Sequence, residues 1–219
     1  MLALLGTSFT FLMTALGAAT VFFFARKVCE RAQGALLGFA AGVMVAASVW
    51  SLLIPAIEQS SAMGKLSFLP AFLGFWVGIL FLLLLDHVVP HLHAKSGQVE
   101  GPKSQLQRAT MMVLAVTLHN IPEGMAVSVP LINGGMSRVR AVAATAACGL
   151  PTVLGAWLGY WLGDIGPLGL SLSLGFASGA MLYVVFGEII PQSVLMYRSK
   201  LPTFFVIVGI LLGLLIIYY

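Results

Sequence analysis

Charge is the scarcest commodity in this sequence. Only 8% of its 219 residues are charged, against about 25% in soluble domains. That excludes a soluble globular domain, a disordered chain and a nucleic-acid binder. The formal net charge of +4 falls in loops, so it reports topology and not an anionic partner. Cysteine is nearly absent: Cys29 and Cys148 are too few for a disulfide framework or a thiolate metal site. Long polar stretches are missing too. The longest, 91–108, reads as a loop, which leaves no room for a soluble domain. What remains is apolar: 60% of residues are hydrophobic and the mean hydropathy is +1.04. The chain reads as an all-α polytopic membrane bundle.

The charges divide the chain. Residues 1–25, 32–57, 66–85, 141–163, 165–187 and 201–219 contain none. A spanning helix needs ~20 mostly apolar residues, and these stretches supply six. A seventh, 109–132, is apolar but carries His119, Asn120, Pro122 and Glu123. The expected helices are therefore 3–25, 34–57, 67–90, 109–132, 140–162, 168–192 and 202–218, in one transmembrane domain over 1–219. The first lacks the basic start and small-residue cleavage site of a signal peptide.

Lys and Arg mark the cytoplasmic side. Arg26, Lys27 and Arg31 lie two helices away from Lys95, Lys103 and Arg108, so both clusters can be cytoplasmic with the N-terminus outside. The clusters Arg138/Arg140 and Arg198/Lys200 obey the rule only if the chain crosses an even number of times between Arg108 and Arg138. Too few residues lie there for two full spans. A single kinked crossing by 109–132 is therefore expected, which would set the C-terminus opposite the N-terminus. The alternative is a re-entrant hairpin at Pro122.

Three of the seven acids stand in apolar surroundings beside a proline: Glu58 in Ile-Pro-Ala-Ile-Glu, Glu123 in His-Asn-Ile-Pro-Glu-Gly and Glu188 in Gly-Glu-Ile-Ile-Pro. An ionisable group at membrane depth is costly and usually marks an ion path. Proline frees the carbonyl one turn earlier, which adds oxygen donors and local bends. His119 and Glu123 share a helix face at i, i+4, with Asn120 adjacent. Imidazole, amide and carboxylate together suit Zn²⁺, Fe²⁺, Mn²⁺ or Cd²⁺. Without thiolates the site fits an ion that must leave again. Met44, Ser51 and Glu58 step by seven along the second helix and so stay near one face. Asp86, His87, His91 and His93 cluster where the third helix meets the loop. They read either as metal contacts or as a solvated helix end. The pairs Gly38/Gly42, Gly74/Gly78, Gly155/Gly159 and Gly175/Gly179 read as small-residue helix contacts.

The segments GVMVAASVWSLLIPAIE (42–58), LDHVVPHLH (85–93), LHNIPEGMAVSVPL (118–131) and FGEIIPQS (186–193) resemble the ZIP (Zrt-, Irt-like protein) family of divalent metal transporters, in particular its bacterial GufA-like branch. The resemblance implies eight helices, both termini outside, and a binuclear metal centre made mainly by the fourth and fifth helices. On it, His119 and Glu123 match ligands of one metal and Asn120 a ligand of the other. Met44, Ser51 and Glu58 match the entry path, Glu188 the exit, and His91 and His93 the third loop.

The chain has one HNxPEG-type motif where the family has two related ones, as if two similar helices had been joined. Gly187 stands where the family often has His or Asp. The expected function is ZIP-type carriage of a divalent cation, zinc foremost, into the cytoplasm, impaired by the missing helix. The alternative is a ZIP-derived protein that binds metal without moving it. An intramembrane metalloenzyme is disfavoured, because no His-Glu-x-x-His occurs. The expected partners are the lipid bilayer of a cell membrane (a bacterial inner membrane), the metal itself and a second copy in a homodimer.

Overall fold

The computed structural model describes residues 2–23, 29–88, 124, 128, 131–132 and 135–218. No strand occurs among them. We label α1 Leu2–Ala19, which tightens into a 3-10 turn over Thr20–Phe22, and α2 Glu30–Gln59. α3 is Phe68–Val88, α4 Arg138–Cys148 and α5 Leu150–Asp164. α6 is Pro167–Met196 and α7 Leu201–Tyr218. α2, α6 and α7 are long and apolar enough to cross a membrane, and shorter apolar helices cover Phe11–Phe22 and Phe68–Leu84. The span expected at 109–132 falls almost wholly outside the described residues, and with it the count of seven.

The stretch expected as one helix over 140–162 is divided at Gly149. Pro151 cannot donate to the carbonyl one turn back, so the ladder breaks there. Gly149 nevertheless keeps right-handed dihedrals (φ −79°, ψ −14°). α4 and α5 are thus one bent element and not a hairpin.

Two seams of glycine organise the bundle. Gly38 and Gly42 of α2 sit against the backbone of Pro202, Val206 and Gly209 in α7, while Gly209 in turn faces Phe39 and Val43. Gly74 and Gly78 of α3 sit against Leu172 and Phe176 in α6, and Gly175 and Gly179 against Ala71 and Phe75. Without side chains in the way the backbones touch, which maximises van der Waals contact where lipid offers no hydrophobic drive. Residue numbers rise together across both seams, so α2 runs parallel to α7 and α3 parallel to α6. The Gly155/Gly159 contact is not formed. Gly155 is exposed and nothing lies within 4 Å of a Cβ built at Gly159. That stretch of α5 turns Trp157, Tyr160 and Trp161 outward instead.

α2 and α6 are antiparallel. Ser178 Oγ donates to the Ser48 carbonyl at 2.9 Å and Ser171 Oγ to the Ala56 carbonyl at 2.6 Å. Between the helices lies a core of Ala41, Met44, Leu52, Leu174, Met181 and Val185, closed by Ala71 of α3. α1 packs on α4 and α5, with Phe11 beside Gly149.

These directions fix which residues share an end. α2 and α7 begin, and α3 and α6 finish, at one end of the bundle. α6 begins at the other end, so Asp164 lies there. The bent α4–α5 element then starts back at the first end. Arg31, Arg138, Arg140, Arg198 and Lys200, all exposed, therefore gather at one end, and Glu58, Lys65 and Asp164 at the other. Residues 24–28 can reach across at most ~21 Å, less than the ~30 Å hydrocarbon core. α1 thus ends where α2 begins, and its N-terminus shares an end with the C-terminus of α7. The described helix directions thus do not match termini on opposite sides, while the crossing expected at 109–132 lies outside the described residues. Val88 and Arg138 lie at the same end, as the charges required.

Candidate metal pathway

Each of the two central helices carries a widened turn followed by proline. In α2 the π-helical segment is Ala47–Leu53, with Ile54 N–H donating to the Val49 carbonyl five residues back; Pro55 comes next. In α6 it is Val185–Ile189, with Ile190 N–H donating to Val185, and then Pro191. Proline cannot donate to the preceding turn and its ring crowds it, and the turn widens to accommodate both. Such bulges recur at functional sites.

Met44, Ser51 and Glu58 all lie on α2, at increasing exposure. Met44 is 1% exposed within the α2–α6 core, Ser51 half-buried and Glu58 exposed. A widened turn accommodates about one extra residue, which rotates the helix beyond it by ~100° relative to a continuous α-helix. Glu58 and Met44 therefore do not share the straight stripe that heptad spacing describes. Glu188 is half-buried within the α6 junction. Because Ser178 meets Ser48 and Ser193 meets Gly34, Glu188 lies level with the stretch of α2 before Met44. From one end to the other the order is Glu58, Ser51, Met44, Glu188 and then the basic end.

Three other serines of this region, Ser48, Ser171 and Ser178, were not singled out from sequence. All three are fully buried, and the last two pin α6 to α2 at the start of the α2 junction and just beyond it. Their signal was legible in principle. Ser171 and Ser178 are seven apart in an apolar helix, and a hydroxyl in hydrocarbon must find an acceptor.

His119, Asn120 and Glu123 lie outside the described residues, as do His91 and His93. Asp86 and His87 belong to the last turn of α3. The glycine that closes the His-Asn-Ile-Pro-Glu-Gly motif is described. Gly124 lies against the backbone of Thr14, Gly17 and Ala18 in α1, so the motif's end is seated on α1 and only glycine fits there. Ser128 is buried and donates to the Gly124 carbonyl at 2.7 Å. Beyond it, Gly135 ends the segment at φ +97°. Gly135 N–H donates to Ile132 and Met136 N–H to Leu131, the paired bonds of a left-handed helix cap. Among the described residues no group of three or more His, Cys, Asp or Glu could hold a metal.

Apolar helices joined by backbone seams, two of them widened before a proline, are the architecture of a helical membrane protein. A family model described as "ZIP Zinc transporter" matches residues 101–218. The zinc transporter ZIPB of Bordetella bronchiseptica is 32% identical over 225 residues, covering 87% of this chain and 72% of the relative. Zinc transporter GufA of Myxococcus xanthus is 33% identical over 213 residues (82% and 84%), and human zinc transporter ZIP11 is 28% identical over 323 residues (94% and 94%). The chain belongs to the ZIP family. The alignment with ZIPB is longer than this chain of 219 residues although it uses only 87% of it. That relative therefore carries residues with no counterpart here.

Proposed function

We propose that this protein carries zinc across a cell membrane, inward from the end bearing Glu58 to the basic end, which faces the cytoplasm. Both termini are then outside. Residues 1–219 act as one transmembrane domain. Glu58 collects the ion at the mouth, and Ser51 and Met44 offer it a hydroxyl and a thioether. His119, Asn120 and Glu123 bind it in mid-membrane, and Glu188 receives it on the way out. The observation that carries this reading is the pair of π–proline junctions on antiparallel helices. They put Ser51 and Glu188 at successive depths of one bundle whose relatives are zinc transporters. Mixed nitrogen and oxygen ligation holds zinc loosely enough to release it. The test is zinc uptake into liposomes holding the purified protein and a zinc-sensitive dye. Saturable uptake, lost in Glu123→Ala, is the expected result; dye signals equal to protein-free liposomes overturn the reading.

One observation favours a second reading, a ZIP-derived protein that binds zinc without moving it: the residues that ZIPB has and this chain lacks. Zinc binding by calorimetry with no uptake in the same liposomes would select it.

A further inference from the structure

At the basic end, α2 begins against the turn between α6 and α7. A Cβ built on Gly34 stands 2.9 Å from the Ser193 carbonyl oxygen, 3.3 Å from Tyr197 Cβ and 3.5 Å from Pro202 Cγ. Arg31 lies three residues earlier on α2 and shares that face, so it stands beside the turn, further out. The turn is held by its own hydrogen bonds. Ser199 N–H donates to the Tyr197 carbonyl at 2.6 Å, Leu201 N–H to Ser199 Oγ at 3.1 Å and Phe204 N–H to the Lys200 carbonyl at 3.0 Å. Arg198 and Lys200 therefore flank a fixed Ser199, and three exposed cations gather there with Arg31. Among the described residues none of the three forms an ion pair. Glu30 is next to Arg31 in the chain and so turns to another side of α2.

The surroundings follow the order of a lipid. Half-buried Tyr197 closes α6, at a depth where a phenol suits the headgroup layer. α7 starts at this end, so Phe204 lies one turn inward of Lys200. Phe204 is 59% exposed, and Leu195 in the last turn of α6 is 66% exposed. Cations outermost, a phenol next and bare apolar side chains inward match phosphate, glycerol and acyl chain. Three positive charges favour a lipid of net negative charge over a zwitterionic one. A second copy of this chain, seated here by two-fold symmetry, would bring the same cations against these.

We propose that the start of α2 and the α6–α7 turn form a docking surface for an anionic phospholipid, with its phosphate between Arg31, Arg198 and Lys200 and its acyl chains along Leu195 and Phe204. The surface is separate from the metal pathway. It requires only that the basic end meet a headgroup layer.

The test uses the full chain in non-ionic micelles, titrated with phosphatidylglycerol, phosphatidylcholine or glycerol 3-phosphate, with bound molecules counted by native mass spectrometry. Each basic residue near a headgroup layer contributes roughly fivefold in affinity. Phosphatidylglycerol should bind at least about tenfold more tightly than phosphatidylcholine. Arg198→Gln with Lys200→Gln should weaken phosphatidylglycerol about 25-fold and leave phosphatidylcholine unchanged. Arg138→Gln with Arg140→Gln removes the same charge from the same end, but on α4, which packs on α1 and α5; it should weaken phosphatidylglycerol less than about threefold, because salt screens the longer distance. All four side chains are exposed, and unchanged helicity by circular dichroism checks each fold. Equal losses from the two pairs reduce the effect to net charge and overturn the docking surface. Equal affinity of the unsubstituted protein for the two lipids overturns it, as does glycerol 3-phosphate binding as tightly as the lipid. A dimer that excludes phosphatidylglycerol assigns the face to a second copy and overturns it too.

Discussion

The α2–α7 seam makes a quantitative prediction at Gly42. A Cβ there stands 2.8 Å from Ile210 N and 2.9 Å from Gly209 Cα, and presses on the Val206 carbonyl. Comfortable carbon contacts begin near ~3.5 Å. All three obstacles are backbone, so no side chain can swing aside and the helices must separate. Gly42→Ala gains about 0.5–1 kcal/mol in helix propensity but incurs an overpacking cost of about 1–3 kcal/mol. With the overpacking cost near the middle of that range, about 2 kcal/mol, the net loss is about 1–1.5 kcal/mol, a factor of roughly 5–13 in the folding equilibrium. Gly159→Ala is the control. It keeps the propensity gain and meets nothing, so it should be neutral or stabilising. Reversible unfolding of both variants in mixed micelles, followed by circular dichroism, reads the difference. Equal midpoints for the two would refute backbone contact at Gly42.

The same geometry sets three further outcomes. Ser178→Ala removes a bond to the Ser48 carbonyl and should cost about 0.6 kcal/mol, the membrane average, in the same unfolding assay; Ser173→Ala, which loses only a bond within its own helix, should cost less. Cysteines placed at Ser137 and Ser199 should react with an impermeant maleimide from one side of the membrane, and cysteines at Ser61 and Ile165 from the other; labelling of 137 together with 61 would restore the single-crossing topology. Glu123→Ala should weaken zinc binding in calorimetry more than Glu58→Ala, since Glu123 follows the His119 imidazole by four residues in the sequence whereas Glu58 is exposed; equal losses would count against a site at that motif.

Helix limits were legible because hydrocarbon excludes charge. The charge-free stretches end within a few residues of α2, α3 and α7, and the one at 165 begins two residues before α6, which runs nine residues beyond its end at Gly187. The seams at Gly42, Gly78 and Gly179 were legible for a related reason, since small residues four apart are what close packing in lipid requires. The arginines at 138 and 140 asked for an even number of crossings before them, which agrees with the end at which α4 begins, while the crossing expected at 109–132 lies outside the described residues. Pro55 and Pro191 signalled a disturbed turn but not its kind. Whether a helix widens or kinks before proline depends on what packs against it, here Ser178 and the Met44–Val185 core. For the site, the order of Glu58, Ser51, Met44 and Glu188 needed the antiparallel pairing of α2 with α6, which no local pattern contains. His119, Asn120 and Glu123 remain assigned on motif alone.

The glycine seams also constrain how the protein is made. Each joins a helix from the first half of the chain to one from the last quarter, Gly38 to Pro202 and Gly74 to Leu172. When α2 and α3 leave the ribosome, the surfaces they need have not been synthesised. Until α6 arrives, Ser48 and Ala56 lack the hydroxyls that will serve their carbonyls, and the glycine faces of α2 and α3 lie open to lipid. A nascent chain stopped before residue 167 has no route to the four-helix block. Inserted alone, α2 and α3 present unclaimed small-residue faces of the kind that helix pairing and membrane quality control both recognise. Assembly is therefore a late event, triggered by the final two helices, and truncation near the C-terminus should be felt first at the opposite end of the sequence.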